Sequence, residues 1–145
     1  MANAKIVYAT MTGNTEEIAQ AFQESLKKAG AEVELTDVND AKAEDFKNFD
    51  ILVVATYTYG QGELPDDIQD FYEDLKDIDL AGKVYAVLGS GDTSYDYMYC
   101  KAADDFDAIL TEAGAKKAAP VYKIEFNEYD QGKLDEIAQA LVNAA

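Results

Sequence analysis

The chain has 145 residues, 48% of them hydrophobic, enough for one domain around a substantial core. Its 29 acidic residues stand against 12 lysines, a formal charge of −17, and it contains no arginine, histidine or tryptophan. That balance excludes nucleic acids and anionic membranes as partners, because both require basic patches, and it points to basic proteins instead. Without histidine the commonest general base and metal ligand is missing, so no metal site is expected. Without arginine there is no bidentate phosphate clamp, so neutral groups would have to hold any phosphate in a turn. Cys100 is the only cysteine, which rules out an intrachain disulfide. No basic segment leads into a long apolar stretch, and no run approaches the roughly 18 apolar residues of a membrane span. A cytoplasmic protein is expected.

Lys5-Ile6-Val7-Tyr8-Ala9 is a short apolar run that predicts a buried strand. The turn Thr10-Met11-Thr12-Gly13-Asn14-Thr15 follows, and Glu16 opens an amphipathic helix. Ile18, Phe22, Ser25, Leu26 and Ala29 recur at helical spacing, with Gly30 as the C-terminal cap and Asn14 or Thr15 as the N-cap. Glu32 to Thr36 alternates and predicts a half-exposed strand near a sheet edge. Asp37 to Phe49 is polar, with a short helix expected at Ala43 to Phe46. Ile51 to Ala55 is continuously apolar and predicts a strand buried on both faces. A loop rich in Thr, Tyr and Gly precedes Pro65-Asp66-Asp67, which opens a helix with Ile68, Phe71, Tyr72 and Leu75 on its core face. Gly82 ends that connection. Val84 to Leu88 is a second buried strand, and Ala102, Phe106, Ile109 and Leu110 mark a helix closing near Gly114. Val121 to Phe126 alternates and suits the other edge, and Leu134, Ile137, Ala138 and Leu141 mark the last helix.

Five strands alternating with about five helices predict an α/β fold: a doubly wound parallel sheet, order 2-1-3-4-5, helices on both faces, one domain over residues 1–145. In such a sheet, ligands bind at the carboxyl ends of the strands, near the point where strand order reverses. Three loops would gather there. The first, Thr10 to Thr15, offers three hydroxyls, an amide and a glycine at a helix N-terminus, whose unpaired N–H groups suit a phosphate. The second, Thr56-Tyr57-Thr58-Tyr59-Gly60-Gln61-Gly62-Glu63-Leu64-Pro65, pairs aromatic faces with hydroxyls and glycines. The third runs Gly89-Ser90-Gly91-Asp92-Thr93-Ser94-Tyr95, with Tyr97 and Tyr99 beyond it. Together they suit a planar heteroaromatic ring stacked between tyrosines.

These motifs, in this order and spacing across essentially the whole chain, resemble those of the short-chain flavodoxins. Thr10-x-Thr12-Gly13-Asn14-Thr15 matches that family's phosphate loop, Thr58-Tyr59-Gly60 its inner aromatic, and Gly89-Ser90-Gly91-Asp92-x-x-Tyr95 its third loop. The resemblance implies a three-layer flavodoxin-like sandwich that binds FMN non-covalently. It implies that Thr10, Thr12, Asn14 and Thr15 hold the phosphate, with Met11 and Gly13 contributing backbone. Thr58 would line the phosphate and ribityl chain, Tyr59 would cover the inner ring face, and Tyr95, in preference to Tyr97, the outer. Backbone at Ser90, Gly91 and Asp92 would meet the pyrimidine edge, and the Gly60–Gln61 peptide would lie beside N5. Thr56, Tyr57, Gly62 and Cys100 complete the expected cofactor-binding set, Cys100 as a buried residue at a helix start. Tyr59 stands where tryptophan is common, and Gln61 where many members carry Asp.

The implied function is a low-potential one-electron carrier, shuttling FMN between semiquinone and hydroquinone. It would pass electrons between redox proteins with basic patches, without substrate turnover of its own, as a monomer. Acidic residues around Asp66, Asp67, Asp70, Glu73 and Asp74 would steer those partners. The alternatives are a flavodoxin-like FMN enzyme, such as a quinone reductase, or a flavoprotein activator of ribonucleotide reductase. A response-regulator receiver fails because Thr10 and Thr56 stand where it needs acidic residues. A low-molecular-weight phosphatase fails for want of arginine, and a Walker nucleotide loop for want of Gly-Lys-Ser/Thr.

Overall fold

The computed structural model describes residues 2–10, 13–57, 66–91 and 100–145, except the side chains of residues 66 and 67. Among these residues four α-helices and two 3-10 turns alternate with six strand segments. The order is β1 (Asn3–Tyr8), α1 (Asn14–Lys28), β2 (Glu32–Asp37), 3-10 turns at Val38–Asp40 and Ala43–Asn48, and β3 (Ile51–Tyr57). Then come α2 (Asp66–Leu75), β4 (Val84–Gly91), α3 (Lys101–Glu112), β5 (Lys116–Lys117), β6 (Tyr122–Glu125) and α4 (Gln131–Ala144).

All pairings among the described residues are parallel, in the order β2-β1-β3-β4, with β5 and β6 sharing the far side of β4. The predicted 2-1-3-4-5 order therefore holds, but the fifth position is filled by two short segments. Lys117 pairs with Tyr85 and Tyr122 with Leu88, so three steps along β4 face five along the edge. The surplus surrounds Pro120, which has no N–H to give a ladder and belongs at an interrupted edge. Only residues 118–121 separate the two segments, which is why the alternating run at Val121 to Phe126 revealed just the second of them.

Strand alternation sorts the core into two layers. Ala4, Ile6, Val53, Ala55, Ala86 and Leu88 face α1 and α4, meeting Ile18, Phe22, Leu134 and Leu141. Val7, Leu52, Val54, Tyr85 and Val87 face α2 and α3, meeting Ile68, Phe71, Phe106 and Leu110. β3 and β4 are buried on both faces, as their unbroken apolar runs predict, whereas β2 is exposed or half-buried throughout. Two helices end alike. Gly30 (φ 104) and Gly114 (φ 102) adopt left-handed conformations, and the next residue's N–H reaches back to Leu26 and Leu110 respectively. This pair of backward bonds satisfies the terminal carbonyls, and only glycine enters it without strain.

β3 and β4 run further than their apolar residues suggest. Thr56 pairs with Gly89 and Tyr57 with Ser90, while Ser90 also pairs with Ile124 of β6. Thr56, Tyr57, Ser90 and Gly91 are therefore strand residues, not loop residues. Pairing on both sides carries the ladder past the point where hydrophobicity stops.

Candidate functional site at the carboxyl-end rim

The strand order reverses between β1 and β3, since the chain leaves β1 for β2 on one side and returns to β3 on the other. The two strands stay joined past their last paired residues, through the Ala9 N–H on the Ala55 carbonyl at 3.0 Å. The first turn begins there. The Gly13 N–H donates to Thr10 Oγ1 at 2.9 Å, closing the turn over three residues. Gly13 adopts φ 93 and is itself the N-cap of α1, with no side chain capping the helix. The expected cap, Asn14 or Thr15, is thereby corrected. The left-handed glycine turns the chain so sharply that both residues already lie inside the helix.

Among the described residues no side chain caps the first turn of α1, and apart from its chain neighbours nothing lies within 4 Å of where a Gly13 side chain would begin. The acidic side chains of that turn are drawn to other partners. Glu16 accepts from the Tyr8 hydroxyl at 3.2 Å, and Glu17 accepts from the Asn127 amide at 2.7 Å. Burial first, and Glu16 second, push the Tyr8 hydroxyl above its ordinary pKa. An uncapped helix N-terminus beside a bare glycine, with Thr10, Asn14 and Thr15 at hand, fits a phosphate held by neutral donors.

At the neighbouring strand ends, Thr56 is fully buried and its hydroxyl donates to the Tyr57 carbonyl at 3.1 Å. Tyr57 lies partly buried against the α2–α3 layer. Ser90 is buried and donates from Oγ to the Phe126 carbonyl at 2.6 Å, while the Phe126 N–H donates to the Gly91 carbonyl at 2.8 Å. One step back, Gly89 admits α3 unusually close. A Cβ there would meet Ala103 Cβ at 2.8 Å and Cys100 Cβ at 3.1 Å. Cys100 is buried at the N-cap of α3 with φ 54, at the helix start where its position in the sequence predicts it.

The fold therefore brings Thr10, Gly13, Asn14, Thr15, Thr56, Tyr57, Ser90 and Gly91 to one rim, with Cys100 packed beneath the last of these strands. Met11, Thr12, Thr58, Tyr59, Gly60, Gln61, Gly62, Asp92 and Tyr95 lie outside the described residues. Sequence reasoning missed a fourth loop at the same rim, Phe126 to Asp130, which holds Ser90 and Gly91 on one side and Glu17 on the other. The signal for it was available: β6 runs parallel to β4, so the chain leaving it must emerge at the same end of the sheet.

Residues 6–139 match the family model described as Flavodoxin. The Probable flavodoxin 2 of Bacillus subtilis (strain 168) is 44% identical over 130 residues, covering 88% of this chain and 84% of the relative. The solved flavodoxin of Streptococcus pneumoniae TIGR4 is 46% identical, with a TM-score of 0.95 over 99% of this chain and all of that one. Flavodoxin 2 of Bacillus cereus, in its oxidised crystal structure, is 39% identical with a TM-score of 0.92, over 99% of this chain and 100% of that one. Site, strand order and relatives agree, and the chain belongs to the flavodoxin family.

Proposed function

We propose that this protein carries electrons one at a time on non-covalently bound FMN, exchanging them between other redox proteins. The observation that carries the reading is the uncapped α1 N-terminus behind a left-handed Gly13, at the point of strand reversal, in a chain of the flavodoxin family. Thr10, Asn14, Thr15 and the first-turn N–H groups of α1 would hold the phosphate, with Met11, Thr12 and Gly13 completing the loop. Thr56, Tyr57, Thr58, Tyr59, Gly60, Gln61 and Gly62 would line one side of the ring, and Ser90, Gly91, Asp92 and Tyr95 the other, above buried Cys100.

Bound there, FMN supplies the redox chemistry, and the chain tunes it. The finer reading is a shuttle between semiquinone and hydroquinone at low potential. An acidic protein disfavours additional negative charge on a ring shielded from water, which lowers the potential of the last electron. Glycine at position 60 would let its peptide reorient toward the ring, and Gln61 would bring no charge to oppose reduction. The partners are basic redox proteins. The chain works as one domain and a monomer in the cytoplasm, and among the described residues no helix is long and apolar enough to cross a membrane.

Titrating FMN into the cofactor-free protein tests this reading. Saturable quenching of flavin fluorescence is expected, followed by two separable one-electron steps on stepwise reduction, with no oxidation of NAD(P)H by the protein alone. Absence of FMN binding refutes the reading, and direct NAD(P)H turnover replaces it with a flavoenzyme. Gly60→Val is expected to lower the yield of one-electron-reduced protein, and an unchanged yield would refute the role given to that peptide.

A further inference from the structure

Phe126 carries two unfavourable features at once. Among the described residues it is the exposed large hydrophobic side chain, 44% accessible. It also sits at φ 52, a left-handed conformation that strains an ordinary L-residue. The other described non-glycine residue in that region, Cys100, is 1% accessible, so its side chain is held by packing. The phenyl ring of Phe126 joins neither layer of the core, and it forms no ring pair among the described residues.

The backbone geometry has a local reason. Through its N–H and C=O, Phe126 closes a reciprocal pair of bonds with Gly91 and Ser90. That latch uses main-chain atoms of residue 126 only. Glycine, asparagine or aspartate would make it with less strain and would place no apolar ring in water. Stability therefore explains the turn but not the side chain in it. Strained residues persist where the surroundings over-determine them, and they cluster at sites of function.

The ring has an acidic setting. Glu125 precedes it, Glu128 and Asp130 follow, and Glu17 is bonded to Asn127 next door. The nearest lysine in sequence, Lys123, is engaged by Asp104 at 2.7 Å. An apolar anchor in a negative frame complements a surface with an apolar centre ringed by lysine or arginine. We propose that Phe126 is the apolar anchor of a docking surface for a basic redox protein, framed by Glu17, Glu125, Glu128 and Asp130. This rests on the electron-carrier reading and adds to it the contact that holds the partner at the edge of the third loop.

Two contributions are separable, because charge attraction fades with salt and burial of a ring does not. The probe is mitochondrial cytochrome c, a basic haem protein, titrated calorimetrically into the full chain with and without FMN across a range of ionic strength. Phe126→Asn, which keeps the left-handed turn, is expected to weaken binding roughly tenfold at every ionic strength, as loss of an aromatic anchor does. Phe126→Tyr should retain parental affinity. Glu125→Gln with Glu128→Gln should weaken binding at low salt only. The urea midpoint and FMN affinity of Phe126→Asn should match or exceed the parent's. Absence of saturable binding by the parent overturns the proposal. So does equal binding by parent and Phe126→Asn, or a loss that merely tracks a fall in stability or FMN affinity. Binding measured without FMN keeps this outcome separate from failure of the carrier reading, which shows instead as a chain that takes up no FMN.

Discussion

The two sides of the rim are held by different means. The turn after β1 is closed locally, by Thr10 Oγ1 on the N–H of Gly13 three residues away and by a glycine in the left-handed region. The end of β4 is held from a distance. Ser90 and Gly91 are latched to Phe126, Ser90 lying 36 residues before it, and Gly89 lets α3 approach until Cys100 and Ala103 nearly touch the strand. A local turn tolerates change elsewhere in the chain, because its geometry is written into adjacent residues. A remote latch fails when any of its packed elements shifts. The first turn should therefore be robust to distant substitution, and the end of β4 sensitive to it.

The sharpest way to break this contrast is Gly89→Ala. The new methyl group would sit 2.8 Å from Ala103 Cβ, and overpacking of this kind costs about 1–3 kcal/mol. Urea denaturation should show that loss, and Ala103→Gly in the same chain should recover part of it. A Gly89→Ala variant as stable as the parent would mean that α3 is free to move away. Next comes Gly13→Ala. Space around the new side chain is open, so the cost is backbone strain alone, about 1–2 kcal/mol. FMN affinity should fall with it, while Gly13→Asn, which tolerates the conformation, should be milder. Equal effects of alanine and asparagine would argue against strain as the cause.

Ser90→Ala should be smaller still. It removes one hydrogen bond, about 0.5–1.5 kcal/mol, and should lower amide hydrogen-exchange protection at Phe126, whose N–H is bound to Gly91. Thr10→Ala removes the corresponding bond of the first turn and should leave Phe126 protection untouched. A loss of Phe126 protection in Thr10→Ala would erase the distinction between local and remote closure.

The amino end of β4 supplies a comparison that is silent at neutral pH. Tyr85 is fully buried, and its hydroxyl donates to Asp107 at 2.6 Å. Burial first, and the Asp107 bond second, push its pKa up to about 12 from the ordinary 10.0. The folded value lies above the unfolded one, so its contribution to stability is complete below pH 10 and is lost between pH 10 and about 12. Denaturation midpoints across that window should fall more steeply for the parent than for Tyr85→Phe. Parallel slopes would show that Tyr85 titrates as it does in the unfolded chain.

Much of the fold was legible in the order of residues, and the errors have specific causes. The unbroken runs at Ile51 to Ala55 and Val84 to Leu88 announced central strands because burial on both faces demands apolar residues throughout. Their last residues, Thr56, Tyr57, Ser90 and Gly91, read as loop because their membership of the sheet comes from neighbouring strands and not from hydrophobicity. The pair Lys116 and Lys117 has no apolar pattern at all, and it forms a strand only because β4 presents an edge to it. In the first turn, polar residues suggested a side-chain cap, whereas the glycine before them took that place.

Sequence by itself determined the alternation of strands and helices, the two central strands, the glycines that end α1 and α3, and the turn that opens α1. Each rests on periodicity or on backbone preferences of residues within a few positions of one another. Tertiary structure alone decided the interrupted edge, the close approach of α3 at Gly89, and the Phe126 latch with its bond from Asn127 to Glu17. Those contacts join residues from 11 positions apart, Gly89 and Cys100, to 110 apart, Glu17 and Asn127. Their geometry exists only once helices have packed onto both faces of the sheet, so no local pattern in the chain could encode it.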